Sequence, residues 1–144
     1  MDGAVNTAAD APARLVIDTN VLVRYLVQDD AAQAKLASAA IESAAGRGER
    51  LRLSAVTLCE LVWVLESAYD QTRADVARAL EQIVRTADFD LEHADHVRTA
   101  VEQYRSTSAD FADALIGLVN AAAGCEYTLT FDRALKRTPH FKAL

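Results

Sequence analysis

Apolar residues fall in short blocks whose period changes repeatedly along this chain, and those changes outline its elements. Leu15-Val16-Ile17 is a brief unbroken apolar run, the mark of a short buried strand. Val21, Leu22, Tyr25 and Leu26 then recur at helical spacing. Ala31 to Ala45 continues as an Ala-rich helix and stops at the turn Gly46-Arg47-Gly48-Glu49. Leu51 to Ser54 is a second strand. Val56 to Tyr69 is a strongly apolar helix, and Thr72 to Thr86 is an amphipathic one with Val76, Leu80, Ile83 and Val84 inward. Phe89-Asp90-Leu91 is a third short strand. Helices follow over Ala94 to Tyr104 and Phe111 to Ala123, and Tyr127 to Phe131 alternates as a strand does. The tail around Pro139 and Phe141 has no clear period. Strands alternating with helices predict an α/β fold with a parallel sheet, in which sites form outside the carboxyl ends of the strands.

Composition narrows the class. The chain has 144 residues, 51% of them hydrophobic, enough for one globular domain with a real core. Residues 1–13 read as a flexible Ala-rich leader, and 14–144 as a single domain. The formal net charge of −6 makes a broad electrostatic clamp on nucleic acid a poor expectation, so any such contact is local or metal-mediated. Cys59 and Cys125 sit in apolar segments and read as buried small hydrophobes rather than a disulfide framework. The N-terminus lacks the basic and apolar regions of a signal peptide, and no uncharged run reaches the ~18 residues of a membrane span, which predicts a cytoplasmic protein.

Four acids adjoin these apolar runs: Asp18, Glu60, Asp113 and Asp132. Two follow strands and two lie near helix starts, so all four can face the carboxyl edge of a sheet. Gathered carboxylates raise one another's pKa, and a hard cation such as Mg2+ or Mn2+ relieves the repulsion through oxygen ligands. Each acid also has a plainer role. Asp18 can cap the next helix, although Thr19 and Asn20 make that cap redundant. Asp110 and Asp113 have the spacing of a capping pair, and Asp132 can cap a C-terminal turn. Glu60 shares a helix face with Val56, Cys59, Trp63 and Val64, which predicts a desolvated carboxylate needing a proton or a cationic partner such as Arg14 or Arg24. His93 and His96 have helical spacing but no third ligand, and read as a solvated face. There is no P-loop, dinucleotide fingerprint or nucleophile elbow.

In this order, D-T-N (Asp18 to Asn20), the helical C-E-L around Glu60, A-D-F-A-D-A-L-I ending at Ile116, and T-F-D (Thr130 to Asp132) resemble the PIN-domain nucleases over roughly residues 14–137. The small single-domain layout is most similar to the VapC-type toxins of bacterial toxin–antitoxin pairs. The resemblance implies an α/β/α sandwich around a central parallel sheet. It implies an Mg2+- or Mn2+-dependent endoribonuclease, a homodimer restrained by a small antitoxin, with RNA as substrate. On that reading Asp18, Glu60, Asp113 and Asp132 hold the metal, Asp110 is an additional acid, and Thr19, Asn20 or Thr130 orient water or carboxylates. Arg24 or Arg133 would contact phosphate. Two other classes remain: an aspartyl-phosphate phosphotransfer protein, although Asn20 stands where a second acid is wanted and Lys136 is only a loose match for its lysine, and a PIN-fold binding module without catalysis.

Overall fold

Parallel pairing is the first rule this chain obeys. In a computed structural model, which describes residues 15–144, every strand pairs parallel to its neighbour. The expected leader 1–13 and Arg14 lie outside the described residues. The chain divides into two compact units. One runs through Leu61 and returns for Ile83–Glu92; the other comprises Val62–Gln82 and His93–Leu144.

The first unit holds a three-stranded sheet in the order β1 (Leu15–Val16), β2 (Leu51–Leu53), β3 (Phe89–Leu91). Leu51 lies between Leu15 and Phe89 in register, and Leu53 pairs with Leu91. Helices α1 (Thr19–Val27) and α2 (Ala31–Gly46) follow β1. The alanines of α2 have a packing purpose: Ala34, Ala37 and Ala44 are buried with Ile41 at alternating spacings of three and four, and their small side chains let α1 approach closely. Asp30 caps α2 by accepting from the Gln33 amide at 3.0 Å, and Gln28 ends α1 in the left-handed region at φ 59°.

Helix α3 (Ala55–Ser67) follows β2. Its start is fixed at two points. The Thr57 amide donates to Ser54 Oγ at 3.1 Å, and the Ala55 amide donates to Glu92 Oε1 at 2.9 Å. Both satisfy amides that the helix itself leaves open, and the Glu92 charge suits the positive end of the helix dipole.

The second unit takes α4 (Arg73–Arg85) as far as Gln82, then α5 (Ala94–Ser106) and α6 (Phe111–Ala122), followed by β4 (Thr128–Thr130), a 3-10 turn (Arg133–Leu135) and β5 (Phe141–Ala143). Helices α5 and α6 pack on each other through residues such as Tyr104 and Phe111, whose rings meet edge to face at 6.5 Å. Strands β4 and β5 form a separate two-stranded parallel sheet, with Thr128 opposite Phe141 and Leu129 opposite Lys142. Phe141 lies over Gly117 of α6 so closely that a Cβ there would come within 2.5 Å of its ring. The tail whose period was unreadable is therefore a strand. One inward ring and a pairing partner decide it, and neither makes an alternating pattern.

Candidate active site

The acids singled out by the sequence fall into two groups, one in each unit. In the first, Asp18 immediately follows β1 and Ile17, at the carboxyl end of the strand. Its Oδ1 accepts from the Val21 amide at 3.1 Å, so it is the N-cap of α1. The expectation that Thr19 or Asn20 would make this cap redundant is corrected. Thr19 is buried, 7% exposed, and its hydroxyl donates instead to Glu60 Oε1, while Asn20 is exposed. One residue supplies the cap and its neighbour reaches across to a different helix.

Glu60 is exposed rather than desolvated. Helix α3 buries Leu58, Leu61, Val62 and Leu65, whereas Val56 and Trp63, on the Glu60 side, are 76% and 66% exposed. This helix is apolar nearly all round, so its periodicity could not tell which face was the core. Of the cationic partners expected for Glu60, Arg14 lies outside the described residues. Arg24 pairs with Asp29 at 2.9 Å and donates to Gln33 Oε1 at 2.6 Å. The partner Glu60 has among the described residues is the Thr19 hydroxyl. An open cavity of about 330 Å3 beside Asp18 is lined by Asn20, Val21, Arg24, Leu36 and their neighbours on α1 and α2.

The second group stands at the start of α6 and the end of β4. Asp110 occupies the N-cap position of α6, yet its side chain makes no capping hydrogen bond. Asp113, in the first turn, is half-buried, and no hydrogen-bond donor or cation pairs with it among the described residues. Burial foremost, and then the negative charges of Asp110 and Asp132, push its carboxyl above the usual range. The capping-pair explanation of these two acids therefore fails, since neither closes the helix end with its side chain. Asp132 does cap: its Oδ1 accepts from the Ala134 amide at 2.9 Å, and its own amide donates to Thr130 Oγ1 at 3.0 Å. Like Asp18, it uses one carboxylate oxygen for the cap.

Two supporting residues, Arg73 and Glu92, were missed by sequence reasoning. Arg73 lies over the Tyr104 ring at 4.0 Å and donates to the carbonyls of Tyr104 at 2.6 Å, Thr107 at 3.1 Å and Ala109 at 2.6 Å. It thereby fixes the loop that delivers Asp110 and α6. Tyr104 in turn donates to Glu66 Oε2 at 2.9 Å, and burial, then that bond, raise its pKa so far that it remains a donor. Glu92, which seats the start of α3, was missed for the same reason: its partner is 37 positions away. No local signal marks either residue.

The cysteine expectation needs correction. Cys125 is exposed and Cys59 half-buried, because the first lies just beyond the end of α6 and the second on the partly open side of α3. His93 and His96 stand with ring centroids 6.1 Å apart.

The donors singled out are carboxylate and hydroxyl oxygens, with no thiol or imidazole among them, which suits Mg2+ or Mn2+ rather than zinc. Among the described residues no three His, Cys, Asp or Glu side chains form a ready group for a metal ion. What fits a cation is the charge: Asp113 carries a like-charge load that a cation would remove. No helix among the described residues is long and apolar enough to cross a membrane.

A family model described as PIN domain matches residues 15–140. The chain is also similar to a VapC ribonuclease of Aquifex aeolicus (strain VF5), 25% identical over 122 residues that cover 85% of this chain and 90% of that protein. No solved structure matches the chain. With nearly its whole described length matched by one family model, the chain belongs to the PIN domain family.

Proposed function

We propose that this protein is a metal-dependent endoribonuclease, the toxin of a VapC-type toxin–antitoxin pair, and that residues 14–144 act together as its nuclease domain. The observation that carries the reading is Asp113. A half-buried carboxylate burdened by two like charges, at a helix start it does not cap, is costly to keep without a cation. The family match and the similarity to a protein named VapC ribonuclease support the same conclusion.

In this reading Asp18, Glu60, Asp113 and Asp132 supply the oxygen ligands for Mg2+ or Mn2+. When bound, such an ion lowers the pKa of its water and neutralises charge on the phosphodiester. The chain's own groups set the ligand geometry. The Val21 amide holds Oδ1 of Asp18 and the Ala134 amide holds Oδ1 of Asp132, so the cap occupies one oxygen of each carboxylate. The Thr19 hydroxyl, itself buried, fixes the orientation of Glu60 by donating to Oε1. Asp110 adds negative charge beside Asp113 and raises the demand for a cation. With such an ion held by these carboxylates, no side chain would be required as general base.

The toxin reading further assigns a small antitoxin as partner, RNA as substrate, a homodimer as the working assembly and the cytoplasm as its place. Exposed apolar side chains such as Trp63 suit contact with another protein. The decisive experiment incubates the purified chain with RNA in EDTA, then with Mg2+ or Mn2+ added back. Cleavage confined to the metal-containing samples is expected. Cleavage that persists after exhaustive chelation overturns the metal assignment, and no cleavage under any condition leaves a binding module. Growth arrest on expression, relieved by the adjacent gene product, tests the toxin role separately.

A further inference from the structure

The two-stranded sheet of the second unit has two unlike faces. Strand alternation sends Thr128 and Phe141 inward, where Phe141 sits against Gly117. The opposite face carries Tyr127, Leu129 and Phe131, which are 53%, 61% and 83% exposed. Lys142, in register with Leu129, lies on that same face with its Nζ 5.9 Å from the Tyr127 ring centroid. A phenylalanine so exposed gains nothing for folding. Its backbone is nonetheless held firmly, since the Asp132 amide bonds Thr130 Oγ1 and the Asp132 carboxylate bonds the Ala134 amide. The ring is thus presented at a fixed place next to Asp132.

Charge on this segment runs against that of the chain. Residues 127–144 carry Arg133, Lys136, Arg137 and Lys142, all exposed, against the single acid Asp132, in a chain of net charge −6. Aromatic faces interleaved with cations are what single-stranded nucleic acid requires: bases stack on the rings and phosphates meet the cations. Tyr127 and Phe131 are four strand residues apart, about 13 Å at ~3.3 Å per residue, a span of more than one nucleotide.

We propose that the outer face of the β4–β5 sheet, with Phe131 as its main stacking residue and Tyr127 and Lys142 continuing it, is a platform that binds single-stranded RNA and leads it to Asp132. This rests on the nuclease reading for its functional meaning and specifies the substrate class as unpaired RNA. The test separates the two. Binding of fluorescein-labelled 12-nucleotide oligouridylate and oligoadenylate, and of a duplex RNA of equal length, is measured by anisotropy with the full-length Asp18→Asn protein in Mg2+, which blocks the proposed cleavage. The single strands are expected to bind more tightly than the duplex. Adding Phe131→Ala should weaken single-strand binding about 5- to 150-fold, the stacking of one base (~1–3 kcal/mol) converted at tenfold per ~1.4 kcal/mol. Phe131→Leu should lose nearly as much, because it keeps apolar area without a π face, and Phe131→Tyr should retain affinity. Lys142→Ala should reduce the salt dependence by about one phosphate contact. The residue is exposed, so unchanged thermal melting of the variants is expected. Three outcomes overturn the platform: no single-strand binding by the parent protein, Phe131→Ala within twofold of it, or unchanged RNA binding with a dimer-to-monomer shift in sedimentation, which would make this face a contact between copies. Wild-type cleavage with Mg2+ reports on the nuclease reading independently of all three.

Discussion

The acids of the first unit find donors, whereas in the second Asp132 does and the pair at the start of α6 does not. Asp18 closes α1 with a hydrogen bond and Glu60, exposed, accepts one from a buried hydroxyl. At the start of α6, Asp110 holds the capping position without capping, and Asp113 is half-buried under like charge. Carboxylates placed for structure find donors; those kept at a stability cost point to chemistry. The contrast also separates two kinds of necessity. Asp18 serves the fold with one oxygen and, in the proposed function, the metal with the other, whereas Asp113 serves only the second purpose.

Activity is where the difference should disappear, and the effect there is largest. Asp113→Asn and Asp18→Asn should each lower metal-dependent cleavage by more than about 100-fold, since even residues that merely orient metal ligands cost ~10–100-fold. Wild-type turnover in either variant, measured on a defined RNA at saturating Mg2+, would remove that residue from the ligand set. Thr19→Val, which deletes the donor to Glu60, should fall within the ~10–100-fold range with a larger loss at limiting metal than at saturation.

Stability should split the groups apart. Arg73→Ala strips the Tyr104 carbonyl in the last turn of α5 and two carbonyls of the loop before α6 of their charged donor and should cost about 2–4 kcal/mol in urea unfolding. A loss below ~0.5 kcal/mol would show that the loop holds itself. A smaller, direct comparison follows: Asp18→Ala should lose about 1 kcal/mol with its cap, while Asp110→Ala, with no capping bond to lose, should be neutral or stabilising in EDTA. Equal losses in the two would mean that Asp110 closes its helix as Asp18 does.

The finest test is pH dependence. The folded-state pKa of Asp113 is raised above its usual 3.8. The native protein therefore binds this proton more readily than the unfolded chain. Its ionisation lowers stability as pH rises through the unfolded value, and the loss levels off above the folded one. In EDTA, Asp113→Asn should match wild type at low pH and melt increasingly above it as pH rises through the carboxylate range. Added Mg2+ should narrow that gap for wild type by mass action. A constant difference between the two melting curves at all pH values would mean that Asp113 is not strained by its neighbours.

Much of the fold was legible because it rests on local patterns. The β1, β2, β3 and β4 positions and all six helices lie within a few residues of where apolar period and turn residues put them. The PIN resemblance was legible from four short acidic motifs in order, a one-dimensional property. Orientation was not. An all-apolar α3 gives no preferred face, so Glu60 read as desolvated although its side of the helix is open. Residue type allowed Asp18, Thr19 or Asn20 to cap α1, and only the position of Glu60, 41 residues away, draws Thr19 from that role. The reach of Arg73 to the loop before α6 and of Glu92 to α3 spans more than 30 residues in each case. Sequence by itself determined the helices and the first four strands and supplied the carboxylates, because helical and strand periods are set within a few residues. Which carboxylate caps, which is strained and which cation fixes a distant loop was decided by tertiary structure, because those energies depend on distances between atoms that the chain order leaves open.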